Sequence, residues 1–134
     1  MYQHILMPLD GSDLAERVLP HVQKLVTTPQ ETRITLLRSL APVHPIMVAE
    51  AETEARRYMG EIAAQLMAAG FRVSIEISIL PAAEAIIDYT EQNNVDLIAI
   101  ATHGRSGVGR WLLGSVTQKV IQATPVPALV IRPH

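Results

Sequence analysis

The chain has 134 residues, 49% hydrophobic and 18% charged, which suits one domain with a substantial core and is too short for two. Eleven basic against thirteen acidic residues leave a formal charge of -2, without the basic footprint that duplex nucleic acid demands. Cysteine is absent and aromatic residues make up 4%, which removes disulfides, thiolate nucleophiles, cysteine metal sites and an aromatic platform for stacking bases.

Along the chain, strand and helix signals alternate. His4 to Leu9 is a short apolar run ending at the turn signal Asp10-Gly11-Ser12, which predicts a buried strand with Ser12 as the cap of a following helix. Leu14, Val18, Val22 and Leu25 form one face of that helix up to about Thr28, with Pro20 expected to bend it. Arg33 to Leu40 is β-prone and flanked by Pro29 and Pro42, giving a second strand. Ala49 to Ala69, rich in Ala, Glu, Arg and Met, predicts a long helix that Gly70 stops. In it Glu50, Glu52, Glu54, Arg56 and Arg57 read as a solvated face, and Met47, Met59 and Met67, along or beside it, as core filler.

From Phe71 to Ile79 apolar residues alternate with Arg72, Ser74, Glu76 and Ser78, the pattern of an edge strand. Pro81 opens a helix running to Asn93 or Asn94, where asparagine can take the left-handed cap. Val95 to Thr102 predicts an apolar strand, Ser115 to Ala123 a helix and Val126 to Ile131 a last strand. The order β-α-β-α-β-α-β-α-β implies a parallel sheet covered by helices on both faces, joined by right-handed crossovers. The longest nearly apolar run, Val95 to Ala101, contains Asp96 and is far shorter than the ~20 residues of a membrane span. The N-terminus carries no Lys or Arg before its apolar residues and does not read as a signal peptide, so a cytoplasmic location is expected.

In doubly wound sheets ligands bind outside the carboxyl ends of the strands where the strand order reverses. Two such ends carry unusual residues, Pro8 to Ser12 after the first strand and Ala101 to Gly109 after the fourth. The second leads through Gly114, Ser115, Val116 and Thr117 into a helix start, whose free N–H groups and dipole suit a phosphate. Arg105 or Arg110 could add charge. A turn shaped by glycines and capped by Ser115 explains the same residues without a ligand. Neither the Walker motif nor the dinucleotide fingerprint is present. The five histidines are scattered, which argues against zinc, and only His103 sits near the crevice.

Gly104, nine residues, then Gly114-Ser115 resembles the nucleotide-binding signature of universal stress proteins, G-x-x-G-x9-G-[ST]. The likeness runs along the whole chain, through the first strand end, the Pro81 to Ile86 helix entry, VDLIAIATHGRSG and the terminal PVPALVIR, with Ala101 where the signature has its first glycine. It implies a Rossmann-like α/β fold, akin to adenine nucleotide alpha hydrolases, with strand order 3-2-1-4-5. By similarity to the ATP-binding branch, Asp10 would hold the adenosine, Pro8 and Leu9 would line the base pocket, and Ser39, Ile100 and Ala101 would flank it. Gly104, Arg105, Gly107, Gly114, Ser115, Val116 and Thr117 would enclose ribose and phosphates, with Mg2+ held mainly by phosphate oxygens. The resemblance also implies a homodimer through the last strand, Ala128, Leu129, Val130 and Ile131.

A nucleotide-dependent stress-response regulator with an unknown protein partner and no catalytic residues is the expectation. A slow ATPase or autophosphorylating protein, and an interaction protein that binds no nucleotide, are the alternatives.

Overall fold

Five parallel strands form one sheet in the order β3-β2-β1-β4-β5, the arrangement expected from the sequence. The computed structural model describes residues 1–12, 16–102 and 114–132. In chain order the elements are β1 (His4–Pro8), α1 (Val18–Leu25), β2 (Arg33–Ser39), α2 (Val48–Ala68), β3 (Arg72–Ser78), α3 (Ala82–Gln92), β4 (Leu97–Ala101), α4 (Ser115–Ala123) and β5 (Ala128–Ile131). Two 3-10 turns, Pro29–Glu31 and Pro45–Met47, precede β2 and α2. Among the described residues no helix is long and apolar enough to cross a membrane.

Because side chains alternate across a strand, an apolar run buried on both faces feeds two cores. Ile5, Met7 and Leu36 pack with Val22 of α1 and Met59, Ile62 and Leu66 of α2. Leu6, Leu37 and Ile98 point the other way, toward Ile86 of α3 and Val120 of α4. The strands β3 and β5 are the two edges of the sheet, and β3 is only partly buried, in keeping with its alternating sequence.

Several element ends differ from the sequence reading for identifiable reasons. Glu16 is helical, Arg17 is a turn residue that keeps right-handed helical backbone angles, and α1 resumes at Val18, so the helical path is interrupted three residues before Pro20. Pro20 has no N–H to bond the carbonyl of the helical Glu16, and the interruption at Arg17 falls within the turn that this missing bond would have closed. Leu14 and the helix start expected after Ser12 fall on or beside residues outside the described set. Of the three methionines read as core, only Met59 is buried; Met47 and Met67 are 45% and 54% exposed. Met47 stands in the 3-10 turn before α2, and Met67 follows the buried Leu66, one residue round the helix and so on a different face.

The end of α2 is a Schellman motif. Gly70, at φ 102, donates to the Met67 carbonyl while Phe71 donates to Leu66 and is itself buried against the core. On the opposite face of α2, Arg56 pairs with Glu52 at 3.1 Å and Arg57 with Glu54 and Glu61, the solvated lattice read from the sequence. Asn94 takes the left-handed conformation at φ 52, as expected at the end of α3.

A buried polar chain crosses the amino-terminal end of the sheet. His4 Nδ1 lies 2.9 Å from the Asn93 carbonyl, which can only accept, so Nδ1 carries the proton. Nε2, 2.8 Å from Thr35 Oγ1, is then the acceptor, and Thr35 in turn accepts from Tyr89 Oη at 3.0 Å. Desolvation by burial holds the His4 pKa below 6.5, opposed by the Asn93 bond and aided by the nearby Arg33 charge. Above pH 6.5 His4 is neutral in both states and its contribution is complete; as pH falls the unfolded chain takes up the proton first. Stability is therefore expected to decline as pH drops below 6.5, before the carboxylates titrate. Thermal melts across this range should show that decline, and a His4→Gln variant should flatten it.

Candidate functional site

The cleft at the carboxyl ends of β1 and β4 exists because the two strands stop pairing early. They are in register only at Ile5 with Leu97 and Leu6 with Ile98, although β4 runs on to Ala101. In a parallel ladder alternate residues face alternate neighbours. His4 accepts from Asp96 on the β4 side, and Leu9 donates to Leu37 at 2.8 Å on the β2 side. By that alternation the nitrogen of Pro8 faces β4 and has no hydrogen to give. The ladder ends there, and the strand ends part at the point where the strand order reverses.

At the other end of the pair Asp96 closes the sheet. Its carboxylate accepts from the N–H groups of Gln3 and His4 at 2.8 and 2.9 Å.

The opening holds a cleft of about 260 Å³. Ten of the residues expected from the sequence line it: Pro8, Leu9, Asp10, Ser39, Ile100, Ala101, Gly114, Ser115, Val116 and Thr117. Gly104, Arg105 and Gly107, like His103 and Arg110, lie outside the described residues. Four lining residues were not anticipated, Leu37, Ala82, Ala85 and Ile86, and a fifth, Thr102, lies in the strand end singled out from the sequence but had no role assigned there. Leu37 was recoverable from the sequence, since strict alternation puts it on the face opposite Leu36. The α3 residues were not, because their approach depends on how that helix crosses the sheet.

Leu9, Leu37, Ala85, Ile86 and Ile100 are buried and give the cleft an apolar wall. Its polar end is the start of α4. Gly114 is the residue before the first turn, and its carbonyl accepts from Gln118. The Gly114 N–H donates to Thr102 Oγ1 at 2.7 Å, a bond that ties the end of β4 to the start of α4 across eleven intervening residues. Thr102 is itself held by its N–H to the Ile131 carbonyl. The N–H groups of Ser115, Val116 and Thr117 have no acceptor within the helix, so they and the helix dipole are what this end offers an anion.

Asp10 is exposed at the mouth, and its Oδ1 accepts from Ser12 N–H at 2.9 Å, forming an Asx turn. The Ser39 hydroxyl donates to the Leu80 carbonyl at 2.6 Å and so fastens the end of β2 to that of β3. An ion pair between Lys119 of α4 and Glu84 of α3 joins the two helices beside the cleft and lowers the Glu84 pKa. Among the described residues no three histidine or acidic side chains come together as a metal site.

The model of the universal stress protein family matches residues 1–132. The chain belongs to that family. This universal stress protein is 31% identical to MJ0577 of Methanocaldococcus jannaschii, over 98% of its own length and 96% of that protein's. The solved structure of MJ0577 superposes with a TM-score of 0.82, covering 100% of this chain and 98% of that one. Against Slr1230 of Synechocystis it is 29% identical over 96% of its length, but spans only 42% of that larger protein. A universal stress protein solved in complex with cAMP shares the fold at a TM-score of 0.74 and 19% identity, covering 98% of this chain and 97% of that one.

Proposed function

We propose that this universal stress protein binds ATP with Mg2+ in the cleft between β1 and β4 and acts as a nucleotide-dependent regulator of the stress response. The observation that carries the reading is an apolar slot, opened where the β1–β4 ladder ends, that leads to the N–H groups left over at the start of α4. An adenine suits the slot walled by Leu9, Leu37, Ile86 and Ile100, with Pro8 and Ala101 at its sides. Asp10 at the mouth can accept from ribose or base, and Ser115, Val116 and Thr117 can donate to phosphate oxygens. Among the described residues Asp10 is the one carboxylate in the lining, so the metal would be held chiefly by the phosphates. The structure of the same fold solved with cAMP supports an adenine nucleotide as the ligand class.

Nucleotide occupancy would shift the surface offered to a protein partner, with two copies joined through the β5 edge, Ala128 to Ile131. Calorimetric titration of nucleotide-free protein with Mg-ATP tests the reading. Saturable binding is expected, weakened about tenfold in both Asp10→Ala and Ser115→Ala, the loss of one charge-assisted or phosphate hydrogen bond each. Protein shown by mass spectrometry to be nucleotide-free, and still not binding, would overturn it.

A further inference from the structure

A second cleft, of about 530 Å³, lies beside the first, between the end of β2 and the first half of α2. The two share Ser39, and the turn through Asp10 and Gly11 separates them. Leu40, Pro42, Val43, Ala51 and Ala55 supply its apolar walls. Its size falls within the roughly 300–1,000 Å³ typical of small-molecule sites.

Most of its polar groups are already engaged. Arg57 is bonded to Glu54 and Glu61, so the Glu54 carboxylate is also committed. The Tyr58 hydroxyl donates to Glu16 at 3.0 Å; burial and that bond push its pKa far up, and it remains a neutral phenol. The Ser39 hydroxyl is spent on Leu80.

Arg38 differs. It is half-buried at the end of β2, and among the described residues no carboxylate or other acceptor stands within ion-pair or hydrogen-bond distance of it. Asp10 and Glu16 are near enough to act on the Tyr58 phenol, as Arg38 is, but neither pairs with the guanidinium. The guanidinium instead packs against Gly11, where an added methyl would come 2.6 Å from one of its nitrogens. Gly11 has a φ of 88, so the backbone reserves that position for glycine, while the guanidinium, as the far end of a flexible side chain, is free to shift.

We propose that the second cleft binds a small organic anion, a carboxylate or phosphate monoester with a compact apolar body, through the Arg38 guanidinium. A planar fork of N–H donors matches a two-oxygen acceptor, and partial withdrawal from water strengthens the bond. This site is distinct from the nucleotide cleft and does not depend on that cleft being used.

The test is a two-dimensional NMR titration of the full chain with phenyl phosphate and, separately, benzoate, which distinguish phosphate from carboxylate. Saturable shifts at Gly11, Arg38, Ala55 and Tyr58 are expected with at least one probe, and inorganic phosphate alone should bind more weakly. Arg38→Met, which keeps the stem but removes the charge, should weaken binding at least about tenfold, with Arg38→Gln behaving alike if methionine disturbs the fold. No saturable shift in the millimolar range, undiminished binding by both variants, or shifts centred on Ser115 to Thr117 would overturn the proposal.

Discussion

Replacing Gly114 by valine is expected to weaken Mg-ATP binding by at least about a hundredfold, a loss near 2.7 kcal/mol, while leaving the protein folded. The reason is not backbone strain. Gly114 sits at φ -60 and ψ 154, extended backbone that any residue adopts. What valine adds is a branched side chain at the polar end of a cleft of only about 260 Å³, next to the N–H groups that would receive the phosphates. The 2.7 Å bond between Gly114 N–H and Thr102 Oγ1 needs only the backbone at position 114 and is kept by valine. Calorimetry against Mg-ATP, with circular dichroism to show an unchanged fold, reads the effect. A folded variant with unaltered affinity would place the nucleotide elsewhere.

Leu36→Ala is expected to cost about 3 kcal/mol of folding stability, inside the range of roughly 2–5 for buried leucine truncations. Leu36 is completely buried in β2, in register with Met7 on one side and Ile75 on the other, and it belongs to the core under α1 and α2. Against a typical total of about 5–15 kcal/mol this is a large fraction. Its neighbour Leu37 faces the other core and lines the cleft between β1 and β4. The pair therefore separates stability from binding: Leu36→Ala should lower the urea midpoint with little change in nucleotide affinity, whereas Leu37→Ala should disturb both. A loss below about 1 kcal/mol for Leu36→Ala would mean the core relaxes around the missing side chain.

Part of the candidate site is legible in the amino-acid sequence. Ala101, Gly114 and Ser115 stand at the two ends of the signature, and Pro8 to Asp10 end an apolar run at a turn, so their place at strand and helix ends follows from local pattern. Thr102, Ala85 and Ile86 show why the rest is not. Thr102 reads as the last residue of a strand, and only the folded chain places its hydroxyl against an N–H twelve positions on. Asp96 reads as a flaw in an apolar strand and proves to be an acceptor for two backbone donors of β1. Side-chain roles across such separations depend on the pairing of distant segments, which no local period encodes.

Periodicity and punctuation by themselves determined the alternation of elements, the parallel sheet that alternation implies, the stop at Gly70 and the left-handed Asn94, because each depends on the backbone preferences of a few adjacent residues. Tertiary structure alone decided three things. It turned the missing hydrogen of Pro8 toward β4, and so opened the cleft; in another register the same proline would have faced β2. It buried Met59 and left Met67 in solvent, since exposure depends on which arc of α2 meets the sheet. And it set Arg38 against Gly11 at the wall of a second cleft, a contact that arises only when β2 lies beside the turn after β1.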